Sequence, residues 1–255
     1  VSNWVARRRV SRLLFEELLG IDARRDLPEF SRTTLVDWAA ERTGGVEDPT
    51  RRAVLYPDLY TNHVLVERGK AAVRALEALG VDVEVPQVAS SGRAPLSQGM
   101  VATARAKAEA VAATLRPYVD EGRDVVVIEP SDYAMFEREY ERLLEAPEHE
   151  ALADGSYELM EYVFGLLETD ADEEALRPGE GESVAYHGHC QQRTLGLAGY
   201  TEAVLERCGF DVLTSTVECC GMAGSFGYKD DYYDVSMAVG DDLRDQFTAA
   251  EAADR

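Results

Sequence analysis

The chain has 255 residues, of which 48 are acidic and 26 are basic, so its net charge is −22 at pH 7. This length, with 45% hydrophobic residues, is enough to bury the core of one large domain or two small ones. The acidic residues are spread along the whole sequence. The surface is therefore anionic, which argues against nucleic acid and anionic membranes as partners, because binding to phosphate requires a basic face.

The acidity itself has two interpretations, an acidic mesophile or a halophile. We favour the halophile, because carboxylates hold water in concentrated salt while the salt screens their mutual repulsion.

The sequence also bears on location. It contains neither a transmembrane segment nor a signal-peptide pattern. Four cysteines without a secretory signal predict a reducing cytoplasm, with peripheral attachment to the inner face of the membrane as a further option. Because the chain starts at Val1 instead of Met, we expect a piece of a longer protein.

The predicted elements begin with a helical, loop-rich segment at residues 1–52, after which strands alternate with helices. The first set of predicted strands is 53–56, 81–85 and 124–128, and the helices of this part are 67–79, 100–119, 133–144 and 157–167. A polar stretch at 146–154 and an acidic loop at 168–182 carry no predicted element. The same rhythm then returns, with strands at 183–186 and 210–217 and a helix at 199–208.

An internal repeat supports this division. Residues 80–83 and 88–92 align without a gap on 209–212 and 217–221, so Ser90 and Ser91 occupy the places of Cys219 and Cys220. We predict an α/β fold of two strand–helix pseudo-repeats with mainly parallel sheet, preceded by an N-terminal helical segment. The predicted boundaries are 1–52 for that segment, 53–150 for the first repeat and 151–255 for the second.

The second repeat carries the chemistry. Cys190 follows one predicted strand, and Cys219 and Cys220 follow the next. Ligands in such folds lie beyond the carboxyl ends of strands, so three thiolates converge if the two strands are parallel neighbours. Thiolates suit iron–sulfur clusters and zinc, and two adjacent cysteines cannot both face one core, which favours ligation over packing. Cys208 aligns with Leu79 at the buried end of a helix and is predicted to pack.

Two histidines and two glycines accompany these cysteines. His187 and His189 are two residues apart, so in an extended segment they face the same side. One of them is either a ligand or a hydrogen-bond donor to a cluster, or the two simply cap the strand end. Gly221 and Gly224 belong to a Gly-rich run whose N–H groups can approach a phosphate or the sulfides of a cluster. Without a P-loop lysine, the cluster is favoured.

The first repeat is polar where the second is thiol-rich. Ser90, Ser91, Arg93 and Asp132 predict a structural network in which Arg93 pairs with Asp132, in preference to a site for a carboxylate substrate. At the same offset, the position in the second repeat that corresponds to Asp132 falls beyond Arg255. We therefore expect the second repeat to lack its last strand and a fourth ligand.

The runs His187-Gly-His-Cys190-Gln-Gln and Cys219-Cys220-Gly-Met-Ala-Gly-Ser-Phe-Gly-Tyr228 resemble the cysteine-rich Cys-Cys-Gly domain family. The short run Gly20-Ile-Asp22 also fits that family. That family occurs in heterodisulfide reductase and in the iron–sulfur subunit of glycolate oxidase, and the likeness is greatest to the C-terminal part of FAD-linked D-lactate dehydrogenases. The resemblance implies that Cys190, Cys219 and Cys220 hold an iron–sulfur cluster of the 4Fe-4S type, or zinc. It also implies that electrons arrive from FAD on a separate domain or subunit and leave to a quinone or another carrier. Ser90, Ser91 and Asp132 stand where the family has cysteines, so no thiolate-bound cluster is expected in the first repeat.

Three functional hypotheses follow. The first is the electron-transfer module of an FAD-linked 2-hydroxyacid dehydrogenase of the D-lactate or glycolate kind, with the substrate site outside this segment and no catalytic residue within it. The second is a docking domain, either metal-free or closed by zinc with His189 as the fourth ligand. The third is a thiol–disulfide switch at Cys219 and Cys220.

Overall fold

The computed structural model describes residues 3–4, 8–43, 45–169 and 171–253. The strands of the described part are β1 (Arg51–Tyr56), β2 (Val81–Glu84), β3 (Asp124–Val127), β4 (Ser156–Glu158), β5 (Ser183–Tyr186) and β6 (Asp211–Thr214). The first helices are α1 (Arg9–Leu19), α2 (Leu35–Ala40), α3 (Leu59–His63), α4 (Val66–Ala78), α5 (Arg93–Ser97) and α6 (Val101–Asp120). The later ones are α7 (Pro130–Glu137), α8 (Ala146–Asp154), α9 (Leu159–Thr169), α10 (Cys190–Leu195), α11 (Ala198–Arg207) and α12 (Tyr233–Ala253).

The predicted α/β class with mainly parallel strands is confirmed, and each predicted strand has a counterpart. The prediction missed β4: two of its residues, Tyr157 and Glu158, were assigned to a helix that in fact begins at Leu159. It also missed helices α8, α10 and α12, the first of which occupies the stretch taken as polar loop.

The chain divides into two compact units, each built from separate stretches of sequence. The sheet unit comprises Ser31–Glu182 and Gln191–Asp211, and the cysteine unit comprises Val1–Phe30, Ser183–Cys190 and Val212–Arg255. The division of the sequence into repeats at 53–150 and 151–255 stays a prediction.

The sheet unit contains a parallel sheet in the order β2-β1-β3-β4. Its central strand β1 is buried from Ala53 to Tyr56, as expected for an apolar run that has helices on both faces. Alternate residues of β1 point to opposite faces: Val54 and Tyr56 pack with α6 and α7, whereas Ala53 and Leu55 pack with α4 and α9. The carboxyl ends of all four strands therefore form one edge between two apolar layers.

Strands β5 and β6 pair with each other and, apart from Asp211, belong to the cysteine unit. The Asp211 N–H donates to the Glu182 carbonyl, and the Ser215 N–H donates to the Tyr186 carbonyl. Both bonds advance in the same direction along the two strands, which is the pattern of a parallel pair. Helix α12 follows the segment that carries Cys219 and Cys220.

None of the helices in the described ranges has the combination of length and apolar character that a membrane span requires.

Candidate metal or cluster site

The three predicted ligands lie after neighbouring strands of the cysteine unit. Cys190 begins α10, a few residues after β5 ends at Tyr186, and Cys219 and Cys220 follow β6. Because β5 and β6 are parallel neighbours, both segments leave the sheet at its carboxyl edge. The pairing expected from the repeat is therefore present, and it places the thiol-bearing segments at one edge.

The thiol groups differ in their surroundings. None of the four cysteines forms a disulfide; Cys190 is exposed, while Cys219 and Cys220 are half-buried. The Gly221 N–H donates to Sγ of Cys219 at 3.4 Å. Hydrogen bonds to sulfur tune the potential of thiolate-bound clusters, so Cys219 has one contact suited to a ligand. His187 and His189 are half-buried beside Cys190.

Two observations bear on whether a thiophilic group fits here. The donor set of three thiols and two imidazoles has the right chemistry for an iron–sulfur cluster or zinc. However, within the described residues no group of three or more His, Cys, Asp or Glu side chains is arranged to hold a metal ion. The chain thus supplies suitable donors on adjacent segments, and the closed ligand set stays a prediction.

The structure of the loop after the paired cysteines shows why glycine stands at positions 221 and 224. Gly221 has φ +84°, and a Cβ there would clash with the Ser236 carbonyl oxygen and lie 3.1 Å from the carbonyl carbon. Gly224 also has a positive φ, of +66°, but a Cβ there meets nothing within 4 Å. Gly221 is therefore required by contact with the backbone of α12, whereas Gly224 is favoured by conformation alone.

A segment that the sequence did not single out holds this loop. Ile21 forms an antiparallel bridge with Lys229, and the Asp22 N–H donates to the Tyr228 carbonyl at 2.8 Å. Arg25 donates from Nε to the Gly227 carbonyl at 2.7 Å and from Nη2 to the Ser236 hydroxyl at 2.8 Å. We call residues 20–25 the strap. Only Gly20, Ile21 and Asp22 had a signal in the sequence, as part of the family resemblance.

The strap is itself fixed by charge. Asp22 is 1% exposed and accepts hydrogen bonds from the Arg24 side chain, which hold the pKa of Asp22 below its usual range. The Arg24 guanidinium also lies 3.5 Å from the centre of the Tyr233 ring. These contacts tie the strap to the first turn of α12.

Cys208 belongs to the sheet unit and packs against its core, as predicted. Burial raises the pKa of its thiol.

The carboxyl edge of the sheet unit is polar, as Ser90, Ser91 and Asp132 predicted, and it is also acidic. The Ser91 hydroxyl donates to Oδ1 of Asp132. Burial raises the pKa of Asp132 to about 7, and the charges of Asp58 and Glu129 act in the same direction. Asp58 is 1% exposed, its Oδ2 has no hydrogen-bond partner among the residues that the structure describes, and burial raises its pKa.

The predicted pair of Arg93 with Asp132 is wrong. Arg93 donates from Nη1 to Oε1 of Glu139 at 2.8 Å, since α5 directs it toward the 3₁₀ turn Glu139–Arg142 that follows α7. Ser90 accepts from Nζ of Lys107 at 2.9 Å. The edge is therefore a hydrogen-bonded network, which is the structural role that the sequence favoured.

Another buried carboxyl group lies at the end of β4. Glu158 is 2% exposed and accepts from the N–H groups of Met160 and Glu161 and from the side-chain amide of Gln192 at 3.1 Å. Burial raises the pKa of Glu158 to about 7 despite these donors. Nothing in the sequence indicated this pair, because β4 itself was missed.

Together, the doubly wound fold and the Cys-Cys-Gly loop define an α/β protein with a thiol-rich strand edge. Comparison with known proteins carries this further. Lactate utilization protein A of Geobacillus thermodenitrificans (strain NG80-2) is 30% identical over 182 residues, which cover 68% of this chain and 71% of that protein. The chain belongs to the family of this protein.

More distant relatives cover different shares of the chain. One component of the anaerobic glycerol-3-phosphate dehydrogenase of Escherichia coli (strain K12) is 25% identical over 232 residues, 90% of this chain and 58% of that component. D-2-hydroxyglutarate dehydrogenase of Pantoea ananatis (strain AJ13355) is 22% identical over 227 residues, 84% of this chain and 22% of that enzyme. The chain thus spans little more than half of the first of these relatives and a smaller part of the second. No protein-family model matches the sequence, and no solved structure matches it.

Proposed function

We propose that this chain is the electron-transfer part of a flavin-linked dehydrogenase that oxidises a 2-hydroxyacid of the D-lactate or glycolate kind. Cys190, Cys219 and Cys220 would hold an iron–sulfur cluster of the 4Fe-4S type. When bound, the cluster supplies one-electron transfer between a flavin and a later carrier. The observation that carries the proposal is the position of these cysteines, at the carboxyl ends of two adjacent parallel strands in one compact unit.

The relatives support the dehydrogenase part of the proposal. One is named for lactate utilization and two are named as dehydrogenases, of glycerol 3-phosphate and D-2-hydroxyglutarate. FAD would belong to another domain or subunit, and a quinone or another carrier would accept the electrons. The proposed location is the cytoplasm, at the inner face of the membrane where the acceptor is a quinone.

The residues of the chain have definable tasks in this proposal. The three thiolates bind the group, and the Gly221 N–H donates to Cys219 Sγ. The glycine at 221 lets the loop lie against the backbone of α12. His187 and His189, half-buried next to Cys190, are candidates for a donor to sulfur or for a fourth ligand.

Zinc is the second candidate for the same donors, with His189 completing three sulfurs and one nitrogen. It would make the unit structural instead of redox-active.

One experiment separates these functions. The protein is purified without oxygen, incubated with iron and sulfide, desalted, and analysed for iron, sulfide, zinc and visible absorbance. The proposal expects stoichiometric iron, a broad visible absorbance that dithionite bleaches, and its loss in Cys219→Ser and Cys220→Ser. Cys208→Ser is the matched control and should behave like the wild type. A colourless protein with stoichiometric zinc, or one that holds neither metal and reversibly oxidises Cys219 with Cys220, would refute electron transfer.

A further inference from the structure

The strap contacts the far end of the Cys-Cys-Gly loop directly, and one of its side chains also contacts Ser236, which holds the near end. We infer that Arg25 is a positioning residue, which sets the conformation of residues 219–227 and so the affinity of Cys219 and Cys220 for a thiophilic metal group. The inference rests on the proposed function only where it names these thiols as ligands. The clamp itself is a property of the chain without metal.

The Arg25 guanidinium bridges the far end of the loop and Ser236 of α12, because it is a planar fork. Its Nε donates to the carbonyl of Gly227 at 2.7 Å, at the far end of the loop. Its Nη2 donates to the Ser236 hydroxyl at 2.8 Å. A planar fork holds two acceptors in one fixed geometry, whereas a lysine amine on a flexible stem does not.

Ser236 passes this restraint to the near end of the loop. It is 2% exposed and donates from its hydroxyl to the Gly221 carbonyl at 2.8 Å. The N–H of the same glycine donates to Cys219 Sγ. The chain of contacts from Arg25 through Ser236 and Gly221 therefore ends on a sulfur that we propose as a ligand.

The environment of Arg25 makes this chain of contacts stiff. Gly221 and Gly227 both lie so close to Ser236 that neither could carry a side chain: a Cβ on Gly227 would be 2.7 Å from the Ser236 hydroxyl oxygen. The Arg25 guanidinium also lies 4.8 Å from the centre of the Tyr233 ring. Earlier in the strap, the Asp22 N–H donates to the Tyr228 carbonyl and so holds the strap against the residue that follows Gly227. In a loop fixed in this way the thiols are already in position, so binding of a metal group does not have to order the loop first. This favours binding.

The test begins with metal-free, reduced protein. Each cysteine is alkylated with N-ethylmaleimide, and the rate at each site is followed by mass spectrometry. In Arg25→Gln we expect about a tenfold rise in the rates at Cys219 and Cys220, because the loop opens more often. Cys208 should keep its rate, as an internal control in the sheet unit. Ser236→Ala should accelerate the same two sites.

Two further variants separate geometry from charge. Arg25→Lys keeps the positive charge and loses the fork, so it should behave like Arg25→Gln. Arg244→Gln removes a charge from an exposed ion pair with Asp241 on α12 and should match the wild type. An Arg25→Lys protein that matches the wild type would overturn the inference, and so would an equal acceleration at all four cysteines.

Cobalt(II) then reports the consequence for binding. The thiolate-to-cobalt absorbance is titrated, and Arg25→Gln should weaken binding by about 10-fold or more, the usual effect of removing support around a ligand. Wild-type protein that binds no cobalt, while the variants still alkylate faster, would refute the proposed function and leave the clamp intact. Unchanged cobalt affinity with faster alkylation would refute the positioning role.

Discussion

Ser91 donates a hydrogen bond from its hydroxyl to the carboxylate of Asp132, and so joins two positions at which the Cys-Cys-Gly family resemblance places cysteines. Ser91 is 2% exposed, and its carbonyl accepts from the Tyr140 hydroxyl at 2.8 Å. A polar contact thus lies at the edge of the sheet unit where the repeat relationship would place thiolates. This edge holds its residues together through hydrogen bonds between short side chains, independently of any metal.

The Asp132 carboxyl makes the stability of the protein depend on pH. Its pKa in the folded protein is about 7, above the ordinary 3.8, so folding favours the protonated form. The stability that this group contributes is therefore complete below about pH 4 and is lost as the pH rises through about 7. We compare the free energy of unfolding of Asp132→Asn with that of the wild type at each pH. From about pH 4 to about pH 8, this difference should shift in favour of the variant by on the order of 1–2 kcal/mol, since partial exposure weakens the effect.

Urea unfolding at a series of pH values measures this difference. Asp120→Asn, at an exposed aspartate paired with Arg116, is the control and should change the free energy of unfolding by no more than about 1 kcal/mol across the series. A constant difference between Asp132→Asn and the wild type would contradict the assigned pKa.

Gln192→Glu should reveal the effect of the buried Glu158 carboxyl group on stability. The substitution places a new carboxylate against Glu158, where Gln192 now donates at 3.1 Å. Two carboxyl groups in a buried site share a proton at low pH but repel when both are ionised. We expect a loss of about 2–4 kcal/mol in the free energy of unfolding at about pH 8, and a clearly smaller loss at about pH 5.

Gln98→Glu makes the same chemical change at an exposed glutamine and should cost little at either pH. If both variants lose the same stability at both pH values, Glu158 is not the cause.

The parts of this structure that the sequence could predict are those fixed by local pattern. The apolar run at residues 53–56, for example, identified the buried part of the central strand β1. Strand β4 was missed because its three residues, Ser-Tyr-Glu, are too few to show a period, and the buried ones are the polar Ser156 and Glu158. Arg25 was missed for another reason: its partner Gly227 is 202 residues away, so no spacing along the chain connects them. The pairing of Arg93 with Glu139 depends on the turn after α7, which the sequence did not resolve.

The net charge of −22 predicts that salt stabilises the fold. Simple screening is nearly complete at about 0.5 M salt, because the Debye length is then below about 5 Å. We expect the thermal midpoint to keep rising up to about 2 M potassium chloride if the acidic surface is a halophilic adaptation. A midpoint that levels off once screening is complete would indicate an ordinary acidic protein, and calorimetry in a salt series decides between them.

Gly221→Ala should disable the cysteine unit, whereas Gly224→Ala should cost it only the strain of the backbone conformation. Both glycines have positive φ, so each alanine costs about 1–2 kcal/mol for backbone conformation. Only at 221 does the new methyl group also collide with the Ser236 carbonyl, which forces the loop away from α12. We expect a total cost of about 3 kcal/mol or more at 221, together with exposure of Cys219 and Cys220 to alkylation. Because the two substitutions are identical in chemistry and lie three residues apart in one loop, equal effects at both would show that contact with Ser236 does not fix the loop.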